Sequence, residues 1–325
     1  MLRVATFIAL CVTLAGAAAA AAPSEEVVQG LYEGAFKDSQ GLHKFEARVV
    51  ACGKGALQVF IREPLAEGKV GKVTLDGKIE GDAVTFAGKA GETTWTAAYS
   101  GGAIKGTSSA GGTIEMKRVE RQPPTLGAKP PAGAIVLLDG KNFSEVTKKP
   151  GKDGTEPEWQ VLQDGGVLVP KGGIASKRTF GGSFKLHVEF KIPFMPAARG
   201  QGRGNSGVYL PNGDEIQVLD SFGMTTYTGG GCGGLYKYKD PDAFDEFSLA
   251  SLPPLQWQTY DVEYRVENKD GKPAGNPRVT VIQNGLKIHD NFELQNPARE
   301  GMFHFQDHGC PVEYRNIWVL PLDGR

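Results

Sequence analysis

Apolar and polar residues alternate in short runs along most of the chain, and turn residues separate the runs. Between residues 24 and 121 the runs are Lys44-Phe45-Glu46-Ala47-Arg48-Val49-Val50, Ala56-Leu57-Gln58-Val59-Phe60-Ile61, Val73-Thr74-Leu75, Ala83-Val84-Thr85-Phe86, Thr94-Trp95-Thr96-Ala97-Ala98-Tyr99 and Thr113-Ile114-Glu115-Met116. A period of two punctuated by Asp76-Gly77, Gly81-Asp82 and Gly101-Gly102 predicts antiparallel strands joined by tight turns. Glu26-Val27-Val28 reads as a short helical turn at the start. Strands this short and this closely spaced predict a small antiparallel sandwich or barrel, about 90 residues in size. No set of acids, histidines or nucleophiles gathers in it, so it reads as an accessory module.

Residues 122–133 are rich in proline, with Pro123-Pro124 and Pro130-Pro131. Paired prolines stiffen a chain and cannot donate to a sheet ladder, so this stretch is the predicted linker. The alternation resumes at Ile135-Val136-Leu137-Leu138 and continues to the C-terminus. Trp159–Leu162 and Gly166–Val169 predict a hairpin, as do Val279–Ile282 and the residues after Asn284-Gly285. Ser183–Phe190, Thr259–Val266, Met302–Gln306 and Val312–Val319 are further strands. No long helical period occurs. The fold class is therefore all-β: a jelly-roll sandwich of two antiparallel sheets over residues 134–325, preceded by the small β module.

The N-terminus changes the picture. Met1-Leu2-Arg3, an apolar run from Val4 to Gly16 and an alanine tract to Ala22 form the layout of a secretory signal peptide over residues 1–22. The apolar run falls short of the roughly 20 residues of a spanning helix. The expectation is export to the periplasm or the extracellular space, with no transmembrane segment in the mature chain. The 36 basic and 37 acidic residues nearly balance, and no basic stripe stands out, which argues against a nucleic-acid partner. Beyond Cys11 there are Cys52, Cys232 and Cys310. Their spacing matches no usual zinc site. Cys232 and Cys310 lie in glycine-containing loops and are the candidates for a disulfide; three small buried thiols are the alternative.

Two adjacent segments are unusually polar for a sandwich: Asn205-Ser206-Gly207-Val208-Tyr209-Leu210 and Glu215-Ile216-Gln217-Val218-Leu219-Asp220, joined by Pro211-Asn212-Gly213-Asp214. In a regular strand Glu215 and Gln217 share a face and Asp220 lies on the other. A β-bulge at Val218-Leu219 would bring Asp220 onto the face of Glu215. The Glu-x-Gln-x-x-Asp spacing partly resembles the bulged Glu-x-Asp-x-x-Glu strand of jelly-roll β-glucanases, whose outer carboxylates act as nucleophile and acid. The alternative is a solvated edge strand.

Taken in order, Leu138-Asp139-Gly140-Lys141, the two polar segments, Cys232-Gly233-Gly234-Leu235-Tyr236, Leu255-Gln256-Trp257-Gln258-Thr259-Tyr260-Asp261, Asn284-Gly285, Phe305-Gln306-Asp307-His308-Gly309 and Tyr314-Arg315-Asn316-Ile317-Trp318-Val319 resemble the 3-keto-disaccharide hydrolase family over residues 134–322. The resemblance implies a concanavalin A-like jelly roll that cleaves glycosides already oxidised at C3, with a carbohydrate as its partner. A C3 ketone acidifies the C2 hydrogen, so the chemistry needs a base, a stabiliser for the enolate oxygen and an acid for the leaving group. Glu215 and His308 are the candidate base and acid, in either order, with Asp220 orienting one of them. Asn205, Gln217, Tyr236, Gln306, Arg315 and His304 are the candidate substrate-binding residues. No cofactor is assigned. A divalent metal held by Glu215, Asp220 or His308 is an alternative to a cationic stabiliser. A non-catalytic carbohydrate-binding or adhesion module is the rival reading, because fold alone does not decide function. His187 and Glu189 share one strand face, expected to be solvated.

Overall fold

The structure is a computed structural model that describes residues 22–64, 70–148, 158–223, 226–242, 250–270 and 272–322. The expected signal peptide lies outside the described residues. A single helical turn, Glu25–Val28, is capped by the Ser24 side chain and leads into the first strand.

Eight strands follow: β1 Gly30–Asp38, β2 Gly41–Gly53, β3 Ala56–Pro64, β4 Val70–Glu80, β5 Ala83–Ala90, β6 Thr93–Ser100, β7 Ala103–Ser108 and β8 Thr113–Val119. Each pairs antiparallel with the next, and β8 pairs back onto β1 from Leu31↔Val119 to Lys37↔Thr113, which closes a barrel. Closure removes both sheet edges. The inward positions Ala47, Val49, Leu57, Val59, Leu75, Val84, Phe86, Ile104 and Met116 fill the interior. Each large aliphatic or aromatic side chain buried there contributes about 1.5–3 kcal/mol. Gly34 sits where β1 and β8 press together: a Cβ there would lie 2.2 Å from the Glu115 carbonyl oxygen.

The second body is a sandwich. Its strands are β9 Ile135–Leu138, β10 Val146–Lys148, β11 Val167–Leu168, β12 Ile174–Ser176, β13 Phe184–Lys191, β14 Asn205–Tyr209, β15 Glu215–Leu219, β16 Trp257–Lys269, β17 Lys272–Gln283, β18 Leu286–Glu293, β19 His304–Phe305 and β20 Glu313–Pro321. One sheet has the order β10-β12-β19-β14-β15; the other runs β11-β20-β13-β16-β17-β18, with β9 on β20. The alternation read from the sequence sets the core. Val208, Ile216, Val218 and Phe305 face Phe184, Leu186, Val188, Phe190, Tyr260 and Val281 between the sheets. The β17–β18 hairpin turns on Asn284 and Gly285, both with positive φ, as a type I′ turn requires.

Several contacts among the described residues tie the bodies together. Leu31 and Val50 of the barrel cluster with Phe222 and Leu252 of the sandwich, and the Arg48 guanidinium lies 5.2 Å over the Phe222 ring. The connecting segment itself is docked. Thr125 Oγ1 donates to Asp261 at 2.5 Å, Gly127 N to Glu189 at 2.6 Å, and the Ala128 carbonyl accepts from Asn316 at 3.0 Å. This corrects the expectation for His187 and Glu189. Their strand face is outward, yet both are fully buried, because the proline-rich segment covers it.

Candidate active site

The outer face of the five-stranded sheet gathers most of the candidate site residues. The β14–β15 ladder is regular, with Asn205↔Leu219, Gly207↔Gln217 and Tyr209↔Glu215. Inward-facing Val208, Ile216 and Val218 therefore put Asn205, Gly207, Tyr209, Glu215 and Gln217 together on the opposite face. Segment 233–236 extends this sheet along the free edge of β15: Gln217 N donates to Gly234 O, Gly233 N to Gln217 O and Tyr236 N to Glu215 O. Leu235 faces the core, so its neighbour Tyr236 joins the polar face.

Glu215 is 5 % exposed. Burial pushes its carboxyl up to about 7, against the opposing pull of a hydrogen bond from Tyr209 and of the nearby Lys237 ammonium. A carboxyl poised near neutrality exchanges a proton readily at ordinary pH. The space it occupies exists because residue 207 is glycine: a Cβ there would sit 2.0 Å from Glu215 Oε1. Tyr209 is held between partners. Gln306 Nε2 donates to its hydroxyl at 3.4 Å, and the His304 ring packs 5.3 Å from its ring. Burial and the Glu215 carboxylate both raise the Tyr209 pKa, so the phenol keeps its proton. Tyr236 accepts a hydrogen bond from Tyr227 at 2.9 Å at the rim.

Several expected members fall elsewhere. No bulge interrupts the β14–β15 ladder, so Asp220 does not join Glu215. It turns to Arg203, whose Nε and Nη2 donate to Asp220 Oδ2, and it is buried at the strand end. His308 is exposed in the loop after β19, and the histidine packed beside the Glu215–Tyr209 pair is His304. Arg315 lies on the other sheet. It donates to Glu189 at 2.7 Å and stacks 3.9 Å over Trp257, whose role is packing for that cation. Among the described residues no group of three His, Cys, Asp or Glu is arranged to hold a metal ion, so Glu215, Asp220 and His308 do not form a ligand set. The Cys232–Cys310 bridge is not formed: both thiols are free. Cys232 is buried 3.1 Å from the Tyr260 hydroxyl, and Cys310 exchanges hydrogen bonds with the Asn205 backbone.

Three residues on or beside this face escaped the sequence reading. Tyr209 was legible, because it alternates with Asn205 and Gly207. Gln201 and Lys237 were not. Gln201 rides the single turn Gly200–Gly202, and Lys237 has a left-handed backbone, φ 71°, in a glycine-rich loop. A separate cleft of ≈ 880 Å³ is lined by Lys177, Arg178, Lys272, Arg299 and Glu300. It holds no buried carboxyl beside a phenol, so the chemistry favours the Glu215 face.

No curated protein sequence matches the chain. Among solved structures, the chain is similar to that of a putative glycosyl hydrolase from Parabacteroides distasonis ATCC 8503, at 33% identity and a TM-score of 0.51, over 59% of this chain and 85% of that one. The profile of the 3-keto-alpha-glucoside-1,2-lyase-like domain matches residues 133–320, from β9 through nearly all of β20 and including every residue of the Glu215 face. With more than half its length covered, the chain belongs to the 3-keto-alpha-glucoside-1,2-lyase-like domain family.

Proposed function

We propose that the chain is an exported enzyme that cleaves 3-keto-glycosides or 3-keto-disaccharides, with Glu215 as the base that removes the C2 proton. Family membership supports the broader statement that it acts on glycosides. The observation that carries the finer reading is the buried Glu215 carboxyl, pushed up to about 7, on the outer face of its sheet beside a protonated Tyr209. The C2–H bond breaks and its proton passes to Glu215. The electron pair moves into a C2–C3 double bond and charge gathers on the C3 oxygen. Lys237, exposed and near Glu215, supplies the cation for that oxygen in place of Arg315. The enolate then expels the C1 oxygen, which takes a proton from His304. Water adding across the resulting double bond makes the net reaction hydrolysis. Tyr209 holds Glu215 in place, and Asn205, Gln217, Gln306 and Tyr236 bind the sugar.

The test is incubation with 3-keto-trehalose or a 3-keto-glucoside, following aglycone release. Release by wild type that Glu215→Gln abolishes supports the reading; equal release by both overturns it. Export is tested by expressing the full chain with and without residues 1–22 and locating it. Retention of the intact chain in the cytoplasm removes that part.

A further inference from the structure

Beside Glu215, three side-chain amides form a closed set. Asn205 Nδ2 donates to the Gln201 backbone carbonyl at 2.9 Å and to Gln201 Oε1 at 3.0 Å. Gln217 Nε2 donates to the same Oε1 at 3.1 Å. Gln201 Nε2 donates to the Gly230 carbonyl at 2.9 Å and reaches Thr226 Oγ1 at 3.5 Å.

Two backbone carbonyls fix which end of each amide is nitrogen. A carbonyl oxygen only accepts, so the atoms facing Gln201 O and Gly230 O must be NH2 groups. Gln201 Oε1 is then an acceptor, and it fixes the Gln217 nitrogen in turn. The remaining ends, Asn205 Oδ1 and Gln217 Oε1, are therefore oxygens. Both are shut from solvent and neither has a hydrogen-bond partner. Each residue is 1 % exposed. A buried acceptor left unpaired costs about 1–3 kcal/mol, and such groups are rare in well-packed sheets. Two of them on neighbouring strands of one face, next to a buried carboxyl, mark a site whose ligand must bring donors.

We propose that the Gln201 side chain is a placeholder, displaced by two hydroxyl groups of a neutral sugar. This deepens the carbohydrate reading of the Glu215 face and rests on it. A hydroxyl both donates and accepts, as an amide does. Each incoming hydroxyl donates to an orphaned oxygen and accepts from the NH2 group that Gln201 releases. Carboxylates, phosphates and ketones only accept, and would set lone pairs against lone pairs. The subsite therefore selects an uncharged polyol portion, rejects a uronate there and leaves the C3 ketone to the Lys237 side. Gln201 is the movable member. It is only half-buried, and a Cβ at Gly200 or Gly202, on either side of it, would touch nothing within 4 Å.

Calorimetric titration tests this without any bond cleavage. Wild type, Gln217→Leu and Gln201→Ala are titrated with methyl α-D-glucopyranoside, its monodeoxy analogues and methyl α-D-glucopyranosiduronate, in EDTA. At least one monodeoxy analogue binds wild type about tenfold more weakly than the parent, the size of one uncharged hydrogen bond. That penalty shrinks to about twofold in Gln217→Leu, where the partner is gone. The uronate binds at least about tenfold more weakly, and Gln201→Ala binds the parent more tightly, because no amide bonds must break first. The proposal is overturned if no sugar binds, if no deoxy analogue is penalised, if the penalty survives in Gln217→Leu, or if the uronate binds as well as the parent. Binding that appears only with added CaCl2 also overturns it, since the two oxygens would then be cation ligands. A failure here leaves cleavage of 3-keto-glycosides standing, and a chain that cleaves none can still show the pattern.

Discussion

Arg203 Nε and Nη2 both donate to Asp220 Oδ2, at 3.0 and 2.6 Å, with each side chain 1 % exposed. The pair sits between β15 and the loop that carries Gln201. Attraction and desolvation nearly cancel in such a pair, but removing one partner strands the other charge. Asp220→Ala is expected to destabilise the fold by about 3–5 kcal/mol, whereas Arg203→Met with Asp220→Leu recovers most of that loss. Urea denaturation of the three chains measures both. If Asp220→Ala unfolds at the wild-type midpoint, the pair carries no structural load.

Glu215 predicts a conflict between stability and activity. Its folded pKa, about 7, lies above the ordinary carboxyl value of 4.5. Between those values the folded chain holds a proton that the unfolded chain has released, so stability falls as pH rises from 4.5 to 7. Glu215→Gln abolishes that slope and leaves the variant more stable than wild type at pH 8 by up to about 3 kcal/mol. The rate runs the other way: as a base Glu215 must be ionised, so kcat/KM rises with pH and levels off above about 7. Melting temperatures and rates on one pH series check both slopes.

Gly207→Ala tests the geometry of the site without touching a titrating group. The new methyl would occupy the place of Glu215 Oε1. The carboxylate must swing away from Tyr209, and misplacing a reacting group by about 1 Å costs on the order of 100-fold in rate. The fold is expected to lose about 1–3 kcal/mol through overpacking. A drop in kcat/KM with unchanged sugar affinity identifies a displaced base.

The segment over residues 123–128 is held by charges that titrate in opposite directions. Burial alone would raise Glu189, but hydrogen bonds from His187, Asn316, Arg315 and Gly127 N outweigh it and hold the carboxyl down to about 2. Its contribution is present above the unfolded value of 4.5 and is lost as pH falls towards 2. His187 is also buried, which lowers its pKa, yet both ring nitrogens face carboxylates, Asp261 at 2.7 Å and Glu189 at 3.5 Å, and the net shift is upward. Its contribution is complete below 6.5 and fades as pH passes the raised value. Proteolysis between Pro123 and Lys129 is therefore slowest at mildly acidic pH and faster at both extremes. A cleavage rate independent of pH would show that the segment is held by its prolines alone.

Arg315→Ala separates the two sheets functionally. The guanidinium belongs to Glu189 and Trp257, away from Glu215. The variant is expected to lose stability and keep kcat/KM within about twofold, as a distant independent site does. A large loss of rate at unchanged stability would return Arg315 to the active site.

Strand periodicity carried most of the fold, because a face that packs on a core must alternate. It also gave Glu215 and Gln217 as neighbours. Asp220 was misplaced, because a bulge leaves no mark in a single sequence and the regular ladder sends that side chain towards Arg203. His187 and Glu189 read as solvated, because periodicity reports which face a residue takes and not what covers that face. The covering segment comes from 62 residues before Glu189, at Gly127. Gln201 and Lys237 were invisible for a related reason: loops that fold over a site carry no period at all.

The docked segment also decides what kind of appendage the barrel is. A module on a loose string sweeps a volume and raises the local concentration of whatever it grips. Here Thr125 and Gly127 are fastened to the sheet that backs the site, and Phe222 locks the barrel wall to the exit of β15. The barrel is thus seated against the sandwich, and parting the two bodies would return Leu31, Val50, Phe222 and Leu252 to water.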